Sequence, residues 1–316
     1  MVDRIAVGGM AEVFRALEPR AVGEPRVVVL KRMLPHIANE SNAQQMFAEE
    51  ARLASRVTHP NVVHVLGHGE IDGQPYLTLE YVPGCDLWQL NRRLTLEGRK
   101  LEHDLVVYLV RQILSGLEAV HNATDRSGAA LGIVHRDISP SNVLISIHGD
   151  VKIADFGIAR SDLNAFAADT GSRANGKLGY LAPEQVSGGP VDRRADLFST
   201  AVIAAELFMR RPLFAGGSEL AVLLAIRDAE VHPFVEFLPE LPEGLGAVIL
   251  TALSANIEER PPTASAFWAA LEPWQSRPEE VLRAELAAMV GSAAVASRTR
   301  RPSADTMPKA TMPPTP

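Results

Sequence analysis

The sequence predicts an α+β chain in two lobes: an N-terminal antiparallel sheet with one main helix, and a mainly helical C-terminal lobe. Two observations predict this. Short β-branched runs are confined to about the first 82 residues, and beyond them apolar residues recur at three- and four-residue spacing. The chain has 316 residues, enough for about two domains. Hydrophobic residues make up 47% and charged residues 22%, a balance that supports packed cores and rules out wholesale disorder.

In the first part, Arg26 to Lys31, Val62 to Leu66 and Tyr76 to Glu80 read as strands. Between them Asn42 to Thr58 reads as a helix. Phe47, Glu50, Ala54 and Val57 share one face, and His59-Pro60-Asn61 stops it. After Val82-Pro83-Gly84 the helical pattern takes over. Leu105, Leu109, Ile113, Leu117 and Val120 form an apolar stripe over Asp104 to His121, with Asp104 as its expected cap. Asn142 to Ser146 and Val151 to Ala154 read as two short strands split by His148-Gly149-Asp150. Helices are expected at Arg193 to Met209, Glu219 to Ala229, Leu245 to Ala255 and Ala264 to Leu271. Five of the last 19 residues are proline, which reads as a disordered tail or the start of a linker.

Charge and cysteine narrow the function classes. With 31 Lys+Arg against 38 Asp+Glu the net charge is -7, which disfavours nucleic-acid binding through a basic surface. The lone Cys85 excludes an intramolecular disulfide and a cysteine-rich zinc site, in keeping with a cytoplasmic location. No apolar run approaches the ~20 residues of a membrane span, and no signal peptide opens the chain.

The chemistry sits in a set of spaced motifs. His135-Arg136-Asp137 is followed five residues later by Asn142, Asp155-Phe156-Gly157 begins 18 residues after Asp137, and Ala182-Pro183-Glu184 closes the next segment. Any one triplet is weak, but ten specified positions at these spacings are not a coincidence. Over roughly residues 5 to 271 the chain resembles the protein kinase family, and most of all the bacterial eukaryotic-type serine/threonine kinases. The resemblance implies a protein kinase-like fold with an N-lobe over 1–82, its first strand truncated, and a C-lobe over 83–273. A C-terminal helix or linker and the Pro-rich tail would fill 274–316.

It also implies roles. ATP and Mg2+, with Mn2+ as a substitute, would lie between the lobes. Asp155 and Asn142 would hold the metal, being hard oxygen ligands. Asp137 would orient the substrate hydroxyl and accept its proton. Lys31 would contact the phosphates and pair with a helix glutamate. Glu50 is favoured over Glu49 because it shares the face of Phe47, Ala54 and Val57. Ile5, Gly8, Val13, Val29, Leu79 and Leu144 would surround the nucleotide, with Leu79 as gatekeeper. The hinge backbone at Glu80 and Val82 would bind adenine, so their side chains would matter little. Asp86 would reach ribose or simply cap the next helix. Glu184 and Arg260 would anchor the activation segment, and Asp196 would cap the catalytic loop. Thr170 and Ser172, and less so Ser161, are candidate phosphosites answering to Arg136. Ser303, Thr306, Thr311 and Thr315 are candidates in the tail.

The chain departs from the family in two places. In the glycine-rich loop Gly8 keeps the central glycine, but Ala6 and Ala11 replace the outer two. In the catalytic loop Ser139 stands where a lysine is usual, while Lys177 stands where the substrate loop usually carries threonine. The cation and the hydroxyl look exchanged, so Lys177 is expected to deliver the missing charge with Ser139 as its hydrogen-bond partner. The expected activity is phosphoryl transfer from ATP to serine or threonine of protein substrates, with autophosphorylation and some self-association, in bacterial signalling. A nucleotide-binding pseudokinase scaffold is the alternative. A small-molecule kinase is a third reading, disfavoured by Ala182-Pro183-Glu184.

Overall fold

The computed structural model describes residues 2–8, 10–20, 22–38, 41–71, 73–155 and 177–299. Five strands form the first sheet: β1 (Asp3–Val7), β2 (Ala11–Glu18), β3 (Arg26–Met33), β4 (Val65–Ile71) and β5 (Gln74–Glu80), in the order β1-β2-β3-β5-β4, every pair antiparallel. Helix α1 (Ser41–Ala54) packs on it through Phe47, Ala51 and Ala54. β1 has five residues against eight in β2, yet it pairs from Asp3↔Arg15 to Val7↔Glu12. The short lead therefore leaves no gap at the sheet edge, and the expected shortfall in this strand does not open the sheet.

The C-terminal part is built on α2 (Leu87–Leu96), α3 (His103–His121), α4 (Pro183–Ser187), α5 (Arg194–Met209), α6 (Glu219–Arg227), α7 (His232–Val235), α8 (Leu245–Ala252), α9 (Ala264–Ala270) and α10 (Glu279–Thr299). A small sheet of β6 (Gly84–Asp86), β7 (Val143–Ser146) and β8 (Val151–Ile153) lies between this bundle and the cleft. α5 is apolar nearly all round, as a helix at the centre of a core must be. The apolar stripe of α3 is fully buried. No helix among the described residues is long and apolar enough to cross a membrane.

Four local expectations are corrected. The helix expected to reach Thr58 ends at Ala54, because Arg56 and Val57 bond back to i-3 carbonyls and tighten the chain into turns. The strand expected at Val62 to Leu66 starts at Val65. Val62 instead forms a parallel bridge with Ile153, and the Val63 amide donates to the Ile153 carbonyl, so this apolar pair stitches the first part to the small sheet. Asp104 does not cap α3; Glu102 holds that position, and Asp104 accepts from Arg277 instead, at 2.5 and 2.6 Å. The stretch after residue 274 is a docked helix up to Thr299. In α10, Leu282, Leu286 and Val290 are buried, Arg93 donates to the Met289 carbonyl, and Arg283 pairs with Asp150 at 2.6 Å. The tail from 300, with its candidate phosphosites, lies outside the described residues, as do Ser161, Thr170 and Ser172.

Candidate functional site

The site lies where β3, α1, the loop before β7 and the end of β8 meet. Val29 and Lys31 are two apart on β3 and so share a face; Val13 pairs with Lys31 and joins them, and Leu79 pairs with Val29. The Gly8 amide donates to the Ala11 carbonyl at 2.9 Å and closes the β1–β2 turn, while Ile5 sits at the bulge between Arg4 and Ala6. Leu144, on β7, is paired with Asp86 and with Lys152. Val82 follows β5 in the single strand of chain joining the two parts.

Lys31 Nζ donates to Glu50 Oε1 at 2.7 Å and to Asp155 Oδ1 at 3.1 Å. Glu49 points elsewhere and pairs with Arg52 on the helix surface. Burial pulls the Lys31 ammonium down, but Asp155 and Glu50 outweigh it and hold it above the usual lysine range. Lys31 in turn holds the Asp155 carboxyl below its usual value, against burial. Burial pushes Glu50 up against the pull of Lys31. Asp155 is ionised beside its cation, and its side chain remains 48% exposed toward the cleft.

On the opposite wall, Asn142 Nδ2 donates to the Asp137 carbonyl at 2.7 Å and to Asp137 Oδ2 at 2.8 Å. A 3-10 turn over Pro140–Asn142 makes this five-residue return, with proline supplying the fixed φ of its first position. Lys177 Nζ closes the group, 2.9 Å from Asp137 Oδ2 and 3.2 Å from Asn142 Oδ1. Ser139 is not its partner: the Ser139 hydroxyl is buried and bonds Ser141 at 3.1 Å, so the expected Ser139–Lys177 pairing is corrected. Arg136 and Asp155 both adopt positive φ, at 63° and 56°. Non-glycine residues tolerate that geometry only where surrounding bonds enforce it.

The enforcing bonds lie beneath. Asp196 is fully buried and accepts from the amides of His135 and Arg136, each at 2.8 Å, and meets His121 Nε2 at 2.8 Å. Burial pushes its carboxyl up, but His121 and these bonds bring it below the ordinary range. His135, also fully buried, is held below its usual value by desolvation. Glu184 and Arg260 form a two-pronged pair at 2.8 and 2.9 Å, and Tyr180 donates to Glu206 at 2.6 Å.

Asp86 caps α2, accepting from the Gln89 amide at 2.7 Å. The Glu80 side chain is not idle, contrary to expectation. It accepts from the His64 amide and from Lys152 Nζ, both at 2.8 Å, and so ties the end of β5 to β4 and to β8. The sequence also gave no sign of His121 under the catalytic loop, since its contact with Asp196 spans 75 residues. Asp155 and Asn142 present a carboxylate and an amide oxygen, a donor set that suits a hard divalent cation such as magnesium.

Comparison with known proteins agrees with this geometry. A family model described as "Protein kinase domain" matches residues 2–271. The chain is 41% identical over 279 residues to the tyrosine-protein kinase MasK of Myxococcus xanthus, covering 87% of this chain and 43% of MasK. It is 38% identical to a probable serine/threonine-protein kinase of Streptomyces coelicolor, covering 80% of this chain and 36% of that one. With the serine/threonine-protein kinase PknL of Mycobacterium tuberculosis it shares 34% identity over 85% of this chain and 63% of PknL. The chain thus spans less than half the length of the first two of these relatives. Among solved structures, the PknI kinase domain of M. tuberculosis superposes with a TM-score of 0.64 at 26% identity, over 86% of this chain and 94% of PknI.

Proposed function

This chain belongs to the protein kinase family, and from that premise we propose that it transfers the γ-phosphoryl group of ATP to serine or threonine hydroxyls of proteins. One observation carries the reading: Lys31, Glu50 and Asp155 on one wall converge with Asp137, Asn142 and Lys177 on the other. A constellation of this kind positions and neutralises, which is most of what phosphoryl transfer asks of a protein.

In this reading Lys31, fixed by Glu50, receives the nonreacting phosphates. Asp155 and Asn142 would hold Mg2+ or Mn2+, which when bound neutralises the charge of the phosphate oxygens. Ile5, Gly8, Val13, Val29, Leu79 and Leu144 surround the nucleotide, and the hinge backbone at Glu80 and Val82 takes the adenine edge. Asp137, oriented by the Asn142 amide, accepts the proton of the acceptor hydroxyl. ATP as donor places the reaction in the cytoplasm. Self-association would let one copy phosphorylate another, as in a bacterial signalling kinase. Serine and threonine are preferred as acceptors because two of the three relatives above carry that specificity in their names. MasK is named for tyrosine, so the acceptor is the first thing to measure.

Incubation with radiolabelled ATP and magnesium, followed by phosphoamino-acid analysis, tests the reading. Wild type should label itself or casein on serine and threonine, while Asp137→Asn and Asp155→Asn should not. Label on tyrosine alone would overturn the acceptor class, and no label from wild type would overturn the activity.

A further inference from the structure

Lys177 occupies a position that the reading above does not explain. It is the first described residue after 176, it precedes the 3-10 turn Leu178–Tyr180, and its ammonium lies between Asp137 and Asn142. A cation bonded to a proton acceptor is, taken alone, a poor arrangement for catalysis, because it lowers the basicity of the carboxylate. It becomes useful if a second anion arrives at the same place. The acceptor oxygen must touch Asp137, so the phosphoryl group moving onto that oxygen passes within reach of Lys177 Nζ.

We propose that Lys177 is a catalytic residue whose ammonium neutralises the phosphoryl group in transit, with the cation delivered by the substrate-side loop and not by the catalytic loop. The proposal rests on the kinase reading and adds one residue to its chemistry. In the step itself, the acceptor oxygen forms its bond to the γ-phosphorus as the bond from that phosphorus to the bridging oxygen of ADP breaks. ADP leaves with the electron pair, and the hydroxyl proton passes to Asp137. Lys177 makes and breaks no covalent bond; it donates hydrogen bonds to the nonbridging oxygens. An ammonium has three N–H donors, and Asp137 and Asn142 take two of them in this structure.

Three features support this placing. The Lys177 side chain is only 20% exposed, so its charge is weakly screened where the phosphoryl group would pass. Its other cationic neighbour, Lys31, is already engaged by Glu50 and Asp155. And the chain that carries Lys177 is firmly held: the Ser199 hydroxyl donates to the Tyr180 carbonyl at 2.6 Å, the Tyr180 hydroxyl to Glu206, and Glu184 is locked to Arg260. A lysine delivered by so anchored a loop is preorganised, which is the condition under which a single charge stabilises a transition state strongly.

The test removes the charge and then restores it on the same folded protein. Lys177→Cys is assayed with radiolabelled magnesium ATP and casein, before and after aminoethylation with bromoethylamine, which rebuilds a lysine-like ammonium. The native Cys85 thiol, pushed up to about 11 by burial, reacts slowly, and treated wild type controls for it. Magnesium ATP binding is followed in parallel with a fluorescent nucleotide analogue. The expected result is a fall in kcat of about 100-fold, nucleotide affinity unchanged within about twofold, and recovery of about tenfold or more on aminoethylation. Turnover within about threefold of wild type in Lys177→Cys would overturn the proposal. So would a variant that no longer binds nucleotide, or one whose loss aminoethylation does not relieve, since either makes the lysine structural. An inactive wild type would instead bring down the kinase reading, and this proposal with it.

Discussion

Two groups of carboxylates lie within the same few turns of chain, and they are built in opposite ways. In the cleft, Asp155 and Asp137 are bonded to side-chain cations and an amide, and Asp155 keeps nearly half its side-chain surface open. Beneath the catalytic loop, Asp196 has no exposed surface and both its oxygens are taken by backbone amides and His121. The cleft acids retain capacity for a ligand, whereas the lower acid spends its capacity on the fold. Positive φ at Arg136 is the link: the lower group holds the strained backbone that aims the upper one.

That contrast can be broken from either side. Replacing Asp137 by Asn keeps the shape and removes the proton acceptor, so transfer should fall by about 10³-fold with an unchanged thermal midpoint. A parallel loss of midpoint would mean that the cleft acid is also a frame residue. Replacing Asp196 by Ala strands two buried amides and a histidine, and should cost about 3–5 kcal/mol of stability, read by urea unfolding. If stability held and only activity fell, the division would be wrong.

A smaller effect tests the frame through pH. Desolvation holds folded His135 below its ordinary value of 6.5. A group depressed in the folded state contributes stability that is full above its unfolded value and is lost as pH falls toward the folded one. The stability gap between wild type and His135→Asn should therefore narrow from pH 7.5 to 5.5, by at most about 1.4 kcal/mol per unit. A constant gap would show that the ring is not buried neutral. Smallest is Lys152→Met, which frees the Glu80 carboxylate at the hinge. It should cost about 0.5–1 kcal/mol and weaken nucleotide binding little; a large loss of ATP affinity would make this pair part of the site.

The motifs were legible because each is a local string whose spacing is set by one loop. His135 to Asn142 is a single turn of chain, and the Pro140–Asn142 geometry follows from its own residues. Strand and helix types in the first 82 residues were legible for the same reason, as periodicity. Their ends were not. Val62 looks like a strand start by propensity, but Ile153, more than 90 positions away, captures it. Asp104 looks like a cap, but Arg277 offers two charge-assisted hydrogen bonds where a cap offers one backbone amide. The Glu80 side chain was dismissed because the hinge is read through its backbone, and nothing near it in sequence announces Lys152.

The sequence by itself determined the fold class, the family and the identity of the polar residues in the cleft, since these rest on residue type and on spacing within short segments. Only the tertiary structure decided which of those residues touch. Lys177 could be placed beside Asp137 rather than Ser139 only once 40 residues of intervening chain had folded back. The physical reason is that a hydrogen bond is settled within a few tenths of an ångström, while sequence separation constrains distance only loosely once a chain can turn.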